Sequence, residues 1–237
     1  DPNKIEVLLF DIGGTVFDWR TAIVRALDSL ADSGIDFGDP ESFSSTWRKQ
    51  SLIEVDAISS GKESWRPFDQ VLQSSLGQTL TDFSIADVPD SVREKLLGAW
   101  EYMPAWPEAR QALIRLRKKY FIAPHTILSL RVAAFSSRNA DIHWDAIISC
   151  DGLRALKPDP ESYLGALRLL GRDPGKVCFV ASHPGDLRAA MTHGMRTAYV
   201  VARLEDYGDD YTDRGFSDEF DFVVENFDAL ADALQCP

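Results

Sequence analysis

The sequence predicts an α/β protein: a Rossmann-like, doubly wound parallel sheet with an all-helical segment inserted after the first strand. Three observations predict it. Short apolar runs end in glycine or polar residues, as strands buried on both faces do. Over the last 130 or so residues these runs alternate with helical patterns, the signature of a parallel sheet. Between about residues 19 and 103 the patterns are helical throughout, with no convincing strand.

The first strand is expected over residues 5–10, closed by Asp11 and the pair Gly13 and Gly14. Helical patterns follow over 21–33, 40–58, 65–76 and 89–102. A further helix starts near Trp106, Pro107 and Glu108 and ends in the basic stretch 115–119, with proline early and cations late as helix polarity favours. Strands are expected over 120–123, 146–149, 177–181, 197–201 and 222–224, and helices over 160–170, 184–193 and 227–234. The segment 205–219 is acidic and reads as a surface loop. In open α/β sheets ligands bind beyond the carboxyl ends of the strands. The search for chemistry therefore narrows to residues 11–15, Thr126, Lys157 and 182–186.

With 237 residues, the chain can hold one large domain or a core with a smaller one attached. The net charge of −12, from 25 basic and 37 acidic residues, argues against nucleic acid or an anionic membrane as partner. Cys150, Cys178 and Cys236 are odd in number and match no metal spacing, so they read as buried free thiols in a reducing compartment. No apolar run approaches a membrane span and no leader is visible. A cytoplasmic enzyme is the expectation.

The strand-end residues form a pattern. Leu8, Leu9, Phe10, Asp11, Ile12, Gly13, Gly14 and Thr15 resemble the first motif of the haloacid dehalogenase superfamily: an apolar strand, a nucleophilic aspartate, then glycine and threonine. Lys157, Pro158, Asp159 and Pro160 resemble its third motif, and residues 180–187, with Asp186, its acidic fourth. The resemblance spans nearly the whole chain and assigns the helical insertion to the superfamily's cap domain. It divides the chain into a core of 1–18 and 104–237 and a cap of 19–103.

Phosphatases of this superfamily carry a second aspartate two residues after the nucleophile, to protonate the leaving alcohol. Here that position is Gly13. The sequence is more similar to the type II 2-haloacid dehalogenases, with supporting matches at Phe17 to Arg20, Trp47 and Arg48, Trp106, Tyr163, and Arg203 with Glu205. The resemblance implies a metal-independent, cofactor-free hydrolysis of short 2-haloacids. Asp11 would displace halide from C2 and form an ester, which water then cleaves. Lys157 would keep Asp11 ionised, Asp186 would anchor Lys157, and Thr15 would serve the oxyanion. Gly14, Arg48, Thr126, Tyr163, Ser182 and His183 are the expected contacts to a small anionic substrate or its halide. Homodimers are common in the family.

The sequence departs from the pattern at two places. Thr126 keeps the hydroxyl of the second motif, but Ile127 replaces the asparagine that cradles halide. Gly13 replaces an aromatic wall residue, giving a roomier and less halide-adapted pocket. These departures keep other readings open: a repurposed acid/base isomerase, an epoxide or ester hydrolase with His183 as an extra acid or base, a phosphatase, or an idle binding protein. Each site residue also has a plainer reading: Asp11 and Asp186 as helix caps, Arg48 as a surface arginine, Tyr163 as packing. His143 and His193 read as structural, and His125 is undecided. Trp47, Trp65 and Trp106 read as packing.

Overall fold

The computed structural model describes residues 2–201, 203 and 218–237. Its centre is one six-stranded parallel sheet, built from β1 (Val7–Phe10), β2 (Phe121–Thr126), β3 (Ile148–Ser149), β4 (Val177–Ala181), β5 (Arg196–Val200) and β6 (Phe222–Val224). The order is β3-β2-β1-β4-β5-β6. The chain winds outward from β1 to one edge, then restarts at β4 and winds to the other. The crevice where direction reverses lies between the ends of β1 and β4, the usual place for a ligand in such sheets.

Side chains alternate along each strand. Leu8, Phe10, Cys178 and Val180 face one hydrophobic layer, while Val7, Leu9, Phe179 and Ala181 face another. The first layer is closed by α5 (Ala109–Arg117), α6 (Leu130–Asn139) and α10 (Phe227–Ala233). The second is closed by α8 (Pro160–Leu170) and α9 (Pro184–Thr192). Helices on both faces explain why β1 and β4 are apolar at every position rather than at every second one. The short α7 (Cys150–Leu153) follows β3 directly.

Between β1 and β2 lie α1 (Trp19–Asp28), α2 (Pro40–Ser59), α3 (Phe68–Asp82) and α4 (Asp90–Gly98). They pack around Trp100, which is fully buried. Trp19 stacks on it at 6.4 Å, and Trp47 meets it edge-on at 5.7 Å. The chain leaves and re-enters the sheet region through two adjacent segments. Asp18 N–H donates to the Pro104 carbonyl (2.8 Å) and Trp106 N–H to the Val16 carbonyl (3.0 Å). The helical body also touches the sheet body elsewhere: Phe68 N–H donates to Asp151 (3.0 Å), and the Ser136 hydroxyl donates to the Trp100 carbonyl (2.8 Å).

The expected elements are present, with shifted ends. The helix α6 was not expected. Two serines, Ser136 and Ser137, sit on its buried face and break the apolar period, but each spends its hydroxyl on a backbone carbonyl. β2 runs on past Ala123 to Thr126 because Pro124 and His125, polar or strand-breaking by type, are buried in the sheet. All three cysteines are buried and free. Among the described residues no helix is long and apolar enough to cross a membrane. Residues 205–217 of the expected acidic loop, which include Glu205 of the Arg203/Glu205 match, lie outside the described residues. Arg203 pairs with Glu108 and covers the Trp106 ring at 4.6 Å.

Candidate active site

Asp11 is the first residue beyond β1, and its N–H still donates to the Val180 carbonyl on β4 (2.9 Å), so the sheet itself fixes its backbone. The chain then turns sharply. Gly14 has φ +87°, a region that costs glycine nothing and other residues strain. Its N–H donates to Phe17 O (2.8 Å), and its carbonyl accepts from the Trp106 indole (2.9 Å). The turn brings Thr15 back over Asp11. The Thr15 hydroxyl donates to Asp11 Oδ2 (2.7 Å) and accepts the Ser182 N–H (2.9 Å), linking the ends of β1 and β4.

Lys157 comes from the loop before α8, where Asp159 caps the helix by accepting the Glu161 N–H and Pro160 opens it. The lysine is 4% exposed. Its ammonium donates to Asp11 Oδ1 (2.8 Å) and to Asp186 Oδ2 (2.6 Å). The other oxygen of Asp186 accepts from the Tyr163 hydroxyl (3.2 Å). His183, at the N-cap of α9, places Nδ1 2.9 Å from Asp11 Oδ2. An ionised carboxylate only accepts, so this nitrogen carries the proton.

The electrostatics follow from that geometry. Burial favours a neutral Asp11, but the charges and hydrogen bonds of Lys157 and His183 overcome it and hold the carboxyl far below the usual range. Burial likewise opposes the Lys157 charge, and the two carboxylates more than offset it, raising the ammonium above the usual lysine value. Burial, then Asp186, pushes the Tyr163 phenol well up, so it remains a donor. The result is a permanently ionised carboxylate with both oxygens held, at the floor of a cavity of about 480 Å³.

Comparison with known proteins identifies the family. The model of the haloacid dehalogenase-like hydrolases matches residues 5–194. The chain belongs to that family. The (S)-2-haloacid dehalogenase 4A of Burkholderia cepacia is 28% identical over 203 residues, 84% of each chain. A defluorinating L-2-haloacid dehalogenase of known structure is 31% identical with a TM-score of 0.92, covering 98% of this chain and 96% of its own. Another L-2-haloacid dehalogenase is 27% identical with a TM-score of 0.90, covering 98% and 99%.

In this dehalogenase-like hydrolase the cavity floor holds Asp11, Lys157, His183 and Asp186, with Ile127 and Gly185 beside them. The roof is Trp19, Arg20, Ser45, Arg48, Leu52, Val55 and Asp56. Arg48 therefore reaches the cavity. Its Nη1 is buried without a hydrogen-bond partner, and its guanidinium lies 5.8 Å from the Trp19 ring centre. Arg20 also lines the cavity. It donates to Ser45 (2.5 Å) and Glu41 (3.3 Å), and lies 5.0 Å from the centre of the Trp19 ring.

Four expected contacts do not line the cavity. Thr126 is fully buried, and its hydroxyl accepts the Leu128 N–H (3.1 Å), closing the turn after β2. Gly14 shapes the turn through the bonds given above. Tyr163 lies under Asp186, and Ser182 reaches the site through its backbone N–H to Thr15. These positions lie behind or beside the groups that line the cavity.

Sequence reasoning gave too little weight to the roof. Ser45, Arg48, Leu52 and Val55 are spaced three, four and three apart, which places them on one face of α2. That spacing was the available signal, obscured because the face mixes polar and apolar residues.

His125 proves to be buried beside the site but facing away from the cavity. Its Nε2 meets the Ser162 hydroxyl (2.8 Å), while burial pushes its pKa down to about 3, leaving it neutral. His193 stacks on Tyr163 at 5.7 Å, and His143 pairs with Asp141 at the surface. Trp47 and Trp106 are buried, and Trp65 is half-buried under Arg154. Among the described residues, Asp11, His183 and Asp186 come close enough to share a cation. The Lys157 ammonium already bridges the two carboxylates, so a cation placed between them would have to displace it.

Proposed function

We propose that this protein hydrolyses the carbon–halogen bond of 2-haloacids through an ester on Asp11, without a metal. One observation carries the reading: a buried, ionised carboxylate opens onto the cavity next to Gly13, where no side chain exists to protonate a leaving group. Halide needs no proton to leave; an alcohol does. The relatives are named for this reaction, and the electrostatics suit it.

An Asp11 oxygen attacks C2, a carbon–oxygen bond forms, and halide departs with the bonding electron pair. Water then adds to the Asp11 carbonyl carbon and the ester breaks, giving the 2-hydroxyacid, the free carboxylate and one proton. Lys157, Thr15 and His183 hold the charge that moves between the Asp11 oxygens. Asp186 positions Lys157 and receives or relays the proton. Arg48 binds the substrate carboxylate or the departing halide.

Residues 19–103 act as a cap over a core of 1–18 and 104–237, pivoting on the paired segments near Asp18 and Pro104, and closure excludes water. The buried thiols fit a cytoplasmic setting, and the acidic chain takes a small anionic substrate rather than nucleic acid. A homodimer is compatible with this reading.

The test is halide release from chloroacetate, 2-chloropropionate and fluoroacetate, with Asp11→Asn as control. The variant is expected to lose about 10⁴-fold or more. Turnover in ¹⁸O water should label the Asp11 carboxylate, and a chelator should leave the rate unchanged. No halide from a folded protein, or label that never reaches Asp11, refutes the proposal. Phosphate release with magnesium would favour the phosphatase reading. Ile127 is the observation that keeps a repurposed hydrolase as the second reading, because an aliphatic side chain cannot hydrogen-bond halide.

A further inference from the structure

The cavity above Asp11 is large for the smallest haloacids. About 480 Å³ falls in the range that drug-sized ligands fill, and an acetate- or propionate-sized acid would leave most of it empty. Its chemistry is mixed. Arg48 from the roof and Lys157 and His183 from the floor suit a carboxylate and a leaving halide, and Asp56 adds an acidic group next to Val55. Trp19, Leu52, Val55 and Ile127 form an apolar wall facing the same space. Leu52 is 43% exposed although it lines a cavity, so it is an apolar surface that water covers until something else does.

Gly185 enlarges the space, while Gly13 lies outside its lining. Neither Gly13 nor Gly185 is held at positive φ, so the backbone does not require glycine at either position. A Cβ at Gly185 would meet nothing within 4 Å, and one at Gly13 only Leu128 Cδ1 at 3.7 Å, an ordinary contact. Gly185 sits in the first turn of α9 and opens onto the cavity. Glycine in a helix forfeits stability relative to alanine without giving anything locally. What its bare Cα supplies here is room beside the nucleophile.

We infer that this site is built for 2-haloacids bearing a large apolar substituent on C2, a long or branched alkyl chain or an aryl ring, seated against Trp19, Leu52, Val55 and Ile127. The inference rests on the proposed dehalogenation. On it, Ile127 becomes a specificity-determining residue that trades a polar contact with halide for apolar contact with the substituent.

The experiment measures kcat/KM for bromide release across 2-bromopropionate, 2-bromobutyrate, 2-bromohexanoate and 2-bromo-2-phenylacetate. Each methylene transferred from water onto the wall is expected to raise kcat/KM about threefold to fourfold, so the hexanoate should exceed the propionate by more than tenfold. Gly185→Phe, which fills the space, should reverse that ranking, with the rise in KM greatest for the largest acids. Bromide release that is flat or falls with substituent size overturns the inference and leaves dehalogenation standing. No bromide from any member, with the protein folded by circular dichroism, overturns both.

Discussion

The strand ends and the inner face of α2 meet across one cavity, and they are built in opposite ways. At the strand ends every side-chain polar atom of Asp11, Lys157 and Asp186 is paired with a named partner, and the Asp11 backbone is bonded into the sheet. On α2 the cation facing the cavity, Arg48, keeps a buried nitrogen unpartnered, and the same face carries aliphatic Leu52 and Val55 beside acidic Asp56. A closed network resists change because removing one member strands the others. An apolar face tolerates change in size and shape at small cost. The difference separates the two tasks: the strand ends set which bond breaks, and the helix face sets which molecule presents it.

After loss of Asp11 itself, removing Lys157 should break the network most severely. Lys157→Met leaves two buried carboxylates facing each other. We expect kcat/KM to fall on the order of 10³-fold and stability to drop by about 3–5 kcal/mol. The pH dependence gives a sharper readout. The lowered pKa of Asp11 contributes stability above its unfolded value near ~3.9, lost only as pH falls through the native value. The raised pKa of Lys157 contributes stability below ~10.4, lost as pH rises through its native value. The intact pair therefore keeps Asp11 ionised across the whole neutral range. Without the ammonium, burial raises Asp11, so the acid limb of the pH–rate profile should move up by about 1–3 units. An unmoved limb would show that Lys157 does not set the charge of Asp11.

On the helix face the largest effect should come from Arg48→Ala, with kcat/KM falling about 10²-fold while thermal stability stays close to that of the parent. The split assigns the role. A rise in KM alone places the substrate carboxylate on Arg48, whereas a fall in kcat places the departing halide there. If neither constant moves, α2 contributes no charge to the reaction and the comparison fails on that side.

How much of this was legible in the sequence follows the same division. The strand-end residues are local: Asp11 to Thr15 is one turn after one apolar run, and Lys157 is followed at once by Pro158 and by Pro160, which opens α8. Their chemistry could be located before the fold was known. The expected substrate contacts Thr126, Tyr163 and Ser182 sit at the end of β2, in the first turn of α8 and just after β4, but which way each side chain turns depends on packing between distant elements. His125 shows the limit most plainly. Its type suggests chemistry, yet in the fold it is a neutral buried group whose Nδ1 has no partner. The roof was harder still, because an insertion's register over a crevice is fixed by tertiary contacts such as Phe68 N–H to Asp151 and Ser136 to the Trp100 carbonyl, which leave no motif.

Tyr163 is the smallest and most discriminating test of the network. Its hydroxyl does not line the cavity and touches only Asp186, which in turn holds Lys157. Tyr163→Phe keeps the buried ring and deletes one hydrogen bond, worth about 1 kcal/mol, so kcat should fall by about three- to tenfold with KM unchanged. A packing role alone would leave kcat intact, since the ring against His125, Phe179 and His193 is retained. A change in KM instead would mean that the hydroxyl reaches the substrate when the helices close. The tyrosine would then belong with the roof, as a group that selects the ligand, and not with the strand ends that act on it.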